Sequence, residues 1–481
     1  MTKLNFDKYE LSDEILKAIS LLNFHKPTKV QKQVIPAVLK HKDIVVKSQT
    51  GSGKTAAFAI PICEKVLWDE NMPQALVVTP TRELATQVKE DIFNIGRFKR
   101  IKVLAVYGKS SFQRQEKALK QKTHVVVGTP GRIIDHLQKG TLDVSKIGYL
   151  VIDEADKMLN MGFVEQLEEI ITRLPEERVN LLLSATLPKD IEALCYKYMN
   201  DPIQINIEDE NSSMDRISQE RFNVKQEDKM KLLGDITILE NPDSCIIFCN
   251  TKQKVDEVSS KLKDLNYSCD KIHGDMEQKH RLRVMNDFKR GYFRYLIATD
   301  VAARGIDVNN INLVINYDIP FDSESYVHRI GRTGRKNNEG RAITFVTPDE
   351  NKYLDDIQEY INRDIALKEK PDKETIGEAK PDFLKKINTK PKIKEDKGAQ
   401  LNKEIMKLHI NAGKKTKMRP VDIVGTLCNI EGVTAEDIGI INIIDVSTFV
   451  EVLNNKGEIV LEALQTKPIK GRIRKVSKAN R

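Results

Sequence analysis

The chain has 481 residues, of which 40% are hydrophobic, 31% charged and 6% aromatic, a balance near the average for soluble globular proteins and a length sufficient for about three domains. Wholesale disorder and a lone small binding module are excluded; no apolar run approaches the ~20 residues of a membrane-crossing helix and the chain lacks a basic-then-apolar start, so a cytoplasmic protein with no membrane partner is expected. The formal net charge of +8 is uneven: residues 371–481 hold 22 Lys and Arg against 15 Asp and Glu, the remainder 56 against 55, and residues 466–481 carry seven basic side chains and no acid, a density suited to phosphate contact.

In chain order, β-branched runs at 44–48, 75–79, 103–107, 125–128, 149–152 and 180–184 alternate with longer amphipathic stretches. This alternation predicts parallel strands joined by crossover helices. After an acidic, serine-containing stretch near residue 210 a second series follows, at 244–249, 295–299, 313–316 and 342–346. Two α/β domains are therefore expected, over 1–207 and 208–370. A segment rich in Lys, Pro and Glu, 371–403, reads as a basic linker with partial helix. The remainder, 404–481, has runs at 405–410, 438–444 and 448–453, helix-like stretches between them and a final basic run, an order that fits a small βαββαβ domain. The six cysteines (Cys63, Cys195, Cys245, Cys249, Cys269 and Cys428) have neither metal nor disulfide spacing and are expected to be reduced core thiols.

The segment Ser48-Gln49-Thr50-Gly51-Ser52-Gly53-Lys54-Thr55 lies between a predicted strand and a predicted helix. That is the context of a nucleotide phosphate loop: glycines Gly51 and Gly53 let backbone N–H groups approach phosphates, Lys54 reaches the β- and γ-phosphates, and the Thr55 hydroxyl can ligate Mg²⁺. Ser48 stands where the general pattern has glycine. Asp153-Glu154-Ala155-Asp156 directly follows an apolar strand, and the C-terminal end of such a strand is where open α/β sheets gather ligands. Asp153 is suited to holding Mg²⁺, largely through water, and Glu154 to orienting the attacking water.

With these motifs in place, residues 4–350 resemble the DEAD-box RNA helicases. The resemblance implies tandem RecA-like parallel-sheet domains, ATP and Mg²⁺ as cofactors and RNA as partner. It assigns Phe24, with Pro27, Thr28 and Gln31, to adenine recognition, and Thr50, Gly51, Ser52, Gly53, Lys54 and Thr55 to the phosphates. Pro80-Thr81-Arg82-Glu83-Leu84-Ala85 and Thr129-Pro130-Gly131-Arg132 look like RNA-backbone contacts, as does Gly108, although Lys109 replaces a second glycine common in the family. Ser184-Ala185-Thr186 resembles the motif that couples hydrolysis to strand separation. In the second domain Gln278 to Arg281, together with Thr299 and Asp300, resemble RNA contacts, Asp307 a ribose contact, His328 a link to the coupling motif, and Arg332 and Arg335 the arginine fingers.

Residues 408–413 and 448–452 look like degenerate versions of the two sheet motifs of an RNA-recognition domain. Behind a helicase core this combination resembles the bacterial DbpA/YxiN branch, which implies a 23S ribosomal RNA hairpin and the assembling large subunit, the pre-50S particle, as partners of a monomeric enzyme. His409, Ser447 and Val452 occupy positions where aromatics would stack bases, leaving Phe449, which is expected in the core. The RNA affinity is therefore expected from Lys414, Lys415, Lys417, Arg419, Arg472, Arg474 and Lys475. Other readings are an ATP-gated RNA clamp or annealing factor, a related DNA helicase, and a general RNA-remodelling or decay helicase without ribosomal specificity.

Overall fold

The computed structural model describes residues 5–49, 51–207, 214, 216–300, 311–334, 339–389, 391, 393–395 and 398–479. Its sheets follow from runs in which successive side chains enter opposite apolar layers. In β1 (Ile44–Lys47) the side chains of Ile44 and Val46 join one core and that of Val45 the other; in β5 (Tyr149–Asp153) Tyr149 and Val151 face the first core, Leu150 and Ile152 the second. Burial on both faces is the reason these runs are continuously apolar. With β2 (Ala75–Val78), β3 (Val103–Val106), β4 (Val125–Gly128), β6 (Val179–Ser184) and β7 (Ile203–Asn206) they form a seven-stranded parallel sheet in the order β3-β4-β2-β5-β6-β1-β7.

A second parallel sheet comprises β8 (Ile217–Asn223), β9 (Cys245–Phe248), β10 (Cys269–Ile272), β11 (Tyr295–Ala298), β12 (Leu313–Asn316), β13 (Gly340–Val346) and β14 (Ala366–Leu367), in the order β10-β11-β9-β12-β13-β8-β14. The third sheet is antiparallel: β15 (Met406–Ile410), β16 (Ile438–Ile443), β17 (Thr448–Val452) and β18 (Val476–Lys478), in the order β16-β17-β15-β18. Helices Pro420–Cys428 and Gly457–Thr466 complete βαββαβ and cover the face bearing Leu408, Ile410, Val450 and Val452.

Two compact units result, Met1–Ile207 with Asp396–Arg481, and Glu208–Glu395. The segment expected as a linker contains the helix Lys373–Ile387, which packs on the second unit. Phe383 on that helix is buried with its ring 5.4 Å from that of Tyr267, and the Arg294 guanidinium donates to the carbonyls of Lys386 and Thr389. Cys63, Cys195, Cys245 and Cys249 are buried free thiols, whereas Cys269 is half-buried and Cys428 exposed, contrary to a core placement for all six. Burial pushes the Cys63 thiol up to about 12, so it is inert as a nucleophile. No helix among the described residues is long and apolar enough to cross a membrane.

Candidate nucleotide and RNA site

The phosphate loop follows β1 and ends at Gly53, which begins the helix Lys54–Lys65 with φ 95°. A Cβ at Gly53 would lie 2.8 Å from Gln31 Nε2, so both conformation and space select glycine here. Lys54 is buried, and its ammonium donates to the carbonyls of Ser48 (2.5 Å) and Gln49 (3.2 Å). Burial lowers the Lys54 pKa, opposed by Asp153, Glu154 and Asp156. The Ser48 and Ser52 hydroxyls lie 2.7 Å apart, so Ser48 adds a side-chain tie at the position where glycine was expected.

Asp153 ends β5 beside this loop, 3% exposed, and its Oδ1 has no hydrogen-bond partner. Burial first, and Glu154 second, push its carboxyl up to about 6. An unpartnered buried carboxylate oxygen facing a lysine-bearing phosphate loop fits a divalent cation. Glu154 adopts φ 56°, a left-handed conformation rare outside glycine, and its Oε1 accepts from Lys157 Nζ at 2.7 Å. Asp156 joins the acidic motif to the Ser184–Thr186 turn. Its Oδ2 accepts from the N–H groups of Ala185 and Thr186, both at 3.1 Å, and its own N–H donates to Ser184 Oγ at 3.1 Å. The sequence pattern assigns no role to Asp156 or Lys157, although Asp156 stands in it as the last acid of its motif.

Gln31 is buried within a helix cap. Its Oε1 accepts from the Thr28 N–H and its Nε2 donates to the Gly53 carbonyl at 3.2 Å, so adenine pairing would exchange bonds that now brace the loop. Phe24 is half-buried against the first core. Among the expected RNA contacts, Arg82 begins the helix Arg82–Ile95, and a Cβ on Gly108 would lie 3.4 Å from its guanidinium. Lys109 takes φ 54°, which explains why glycine suits this position. Thr129 immediately precedes the helix Pro130–Gln138 without a side-chain capping bond, Gly131 is exposed, and Arg132 donates to Ser110 O (3.0 Å) and Gln115 Oε1 (2.9 Å), ordering the loop beyond Lys109.

In the second unit Gln278 and Arg281 are buried on the first turn of the helix Gln278–Arg290. Thr299 and Asp300 follow β11. Both oxygens of Asp300 accept from Arg329, at 2.5 and 2.6 Å, and Arg329 also donates to Asp318 O and Asn250 Oδ1. Asp300, expected as an RNA contact, is thus held in an internal network around Arg329. His328 is half-buried; Arg332 is buried, its Nε donating to the His328 carbonyl at 3.2 Å. Thr50, Asp307 and Arg335 lie outside the described residues.

In the third sheet, Phe449 stands on the face opposite the core, where its ring lies 5.1 Å from that of His409 and 5.2 Å from Lys407 Nζ. This corrects the expectation of a core residue: Val450 and Val452 fill the core instead. His409 shares a 2.9 Å hydrogen bond with Ser447. Lys414, Lys415, Lys417 and Arg419 follow β15, and Arg472, Arg474 and Lys475 precede β18. Ile410 pairs with Val476 and the Asn411 N–H donates to Lys475 O, so pairing brings both basic segments to one end of the sheet.

Three family models match the sequence: "DEAD/DEAH box helicase" over residues 28–194, "Helicase conserved C-terminal domain" over 228–337 and "DbpA RNA binding domain" over 407–478. The chain is 57% identical over 477 residues, 99% of its length and 100% of the relative's, to the Bacillus subtilis ATP-dependent RNA helicase DbpA. It is 45% identical to the Geobacillus kaustophilus DEAD-box ATP-dependent RNA helicase CshA, over 78% of this chain and 79% of that one. Among solved structures, Saccharomyces cerevisiae Dbp5 bound to RNA and ADP BeF3 superposes with a TM-score of 0.70 at 31% identity, covering 80% of this chain and all of that one.

Proposed function

From the premise that the chain belongs to the DEAD-box ATP-dependent RNA helicases, in their DbpA branch, we propose that it opens short RNA duplexes locally, in a cycle of RNA-stimulated ATP hydrolysis, and that its third domain directs it to a 23S ribosomal RNA hairpin on the pre-50S particle. The observation that carries the catalytic reading is the buried constellation of Lys54, Asp153 and Glu154 at the end of β5, tied through Asp156 to Ser184–Thr186. Lys54 would bind the β- and γ-phosphates, and Glu154 would hold the attacking water. Thr55 and Asp153 would hold Mg²⁺, whose charge offsets that developing on the phosphates. Arg332 and Arg335 would add positive charge at the γ-phosphate when ATP and RNA favour closure, which makes the two ligands reciprocal in their binding. Hydrolysis and phosphate loss would then release the opened strand.

The ribosomal reading is supported by the match of residues 407–478 and by the basic end of that domain. Phosphate contacts from those side chains make its affinity fall steeply with salt. The deciding measurement is ATP hydrolysis by the full chain with a 23S fragment containing the hairpin against a length-matched unrelated RNA at one salt concentration. Selective stimulation that disappears when residues 404–481 are removed is expected; equal stimulation by both RNAs would demote the third domain to a nonspecific tether. Lys54→Ala and Glu154→Gln should abolish turnover, the latter retaining ATP and RNA binding, and wild-type rates in either would overturn the assignment of the catalytic groups.

A further inference from the structure

The turn that follows the helix Arg82–Ile95 carries Arg97, Phe98, Lys99, Arg100 and Lys102, a basic cluster that neither the nucleotide nor the expected RNA contacts use. It meets the third domain within the first compact unit. Arg97 and Glu451 form a two-pronged ion pair, Nε to Oε2 at 3.0 Å and Nη2 to Oε1 at 2.9 Å, with both residues under 9% exposed. Lys102 Nζ donates to Ile441 O at 2.8 Å and Arg100 to Ala435 O at 2.5 Å. Beneath them Ala18 and Phe98 share a small apolar core with Leu401, Ile405 and Leu453. Lys17 closes the rim on Asn454 (2.8 Å) and Glu404 (3.3 Å).

An exposed ion pair contributes little to stability, but a buried one is tolerated only with both partners in place and so enforces one arrangement. Glu451 lies with Phe449 on the open face of the sheet. The contact therefore takes the Val452 end of that face, while the basic segments 411–419 and 470–475 lie at the Ile410 end. The helix leading to the turn has 14 residues, about 21 Å at 1.5 Å per residue, and its first residue is Arg82.

We propose that the Arg97–Lys102 turn is a built-in seat for the third domain: it grips the Glu451 end of the sheet, turns the basic end outward, and so fixes where a recognised RNA is held relative to the RNA contacts at Arg82 and Gly108. The delivery role rests on the RNA reading above; the seat itself does not. In this arrangement the Val452 end of the open sheet face is an intramolecular surface, and RNA recognition belongs to the basic end.

The test uses the full chain with dyes at the exposed positions Lys146 and Glu462, and compares wild type, Arg97→Glu, Glu451→Arg and the double exchange. Wild type should give a single narrow energy-transfer distance, each single variant a broad one, and the double exchange a narrow one again. Hairpin affinity should stay within about 2-fold throughout, while hairpin-stimulated hydrolysis falls about 10-fold in the single variants and recovers in the exchange. The exposed rim change Lys17→Glu, which leaves the buried pair intact, should broaden the distance partially, and thermal melts of all variants separate undocking from unfolding. A broad distance in wild type, or a narrow one in both folded single variants, would overturn the seat. Faster RNA-independent hydrolysis in the single variants would overturn delivery in favour of an inhibitory clasp. Equal wild-type stimulation by hairpin and unrelated RNA would overturn the RNA reading, with the distances still deciding the seat.

Discussion

Two buried histidines make the stability of the first domain sensitive to acid. His124 accepts from the Lys102 N–H at 2.8 Å through Nδ1 and meets Trp68 O at 3.1 Å through Nε2, an arrangement that suits the neutral ring. Burial holds His124 down at about 4, and burial with Arg132 nearby does the same to His136. Between about 4 and the unfolded value of about 6.5 the unfolded chain binds protons that the folded chain does not, so stability is lost as pH falls through that window. From pH 7 to pH 5 each ring should cost about 2 kcal/mol. Urea unfolding at the two pH values should therefore show a drop that His124→Gln roughly halves, and an undiminished drop would place the proton uptake elsewhere. Asp156 supports a second expectation at this scale. Asp156→Ala removes the acceptor for two N–H groups of the Ser184–Thr186 turn, so under the proposed cycle duplex separation per ATP hydrolysed should fall at least 10-fold while ATP affinity changes less; a proportional loss of both would make Asp156 part of nucleotide binding.

At the scale of elements, the phosphate loop depends on a backbone shape that only glycine supplies cheaply. Gly53→Ala must hold φ near 95° and displace Gln31, a strain of about 1–2 kcal/mol; melting should register that loss, and ATP titration a larger one because the helix start and the Gln31 brace move together. Unchanged ATP affinity would mean the loop reshapes on binding. The same local logic explains what could be read in advance. The central strands β1, β2, β4, β5 and β6 are buried on both sides and announce themselves as apolar runs. The edge strand β10, Cys-Asp-Lys-Ile, buries one side chain and gives no such signal; β8 interleaves its apolar residues with Ser, Gln, Glu and Arg. The loop motifs around Lys54 and Asp153, which the fold brings together, stand out in the sequence because a phosphate-binding pattern restricts both residue type and spacing. The Arg329 network was hidden because Asp300, Asn250 and Asp318 are far apart in sequence and meet only in the folded sheet. The face that Phe449 occupies is not readable locally, because a five-residue strand has two faces and its register is set by partners that no local pattern reveals.

At the scale of the whole molecule, the boundary after the second sheet follows packing rather than composition. Residues 371–403 are rich in Lys and Pro, so their composition suggests a tether, yet Phe383 enters a core containing Tyr267 and Tyr295. That one aromatic anchors the helix Lys373–Ile387, whose last turn is further held by Arg294 and by Lys386 Nζ donating to Asn241 O. Phe383→Ala in the full chain should remove about 3 kcal/mol from the second unit, on the order of 10 °C in Tm for a domain of this size. Hydrogen exchange adds a spatial signature: protection should drop across 373–387 and in the helix Lys229–Glu240, against which that helix packs, while β1 to β7 keep theirs. If the melt and the exchange pattern are unchanged, the helix is an ornament of the linker and the second domain is complete at residue 370. If they change together, the helix is a structural part of that domain, whose boundary then lies beyond Ile387.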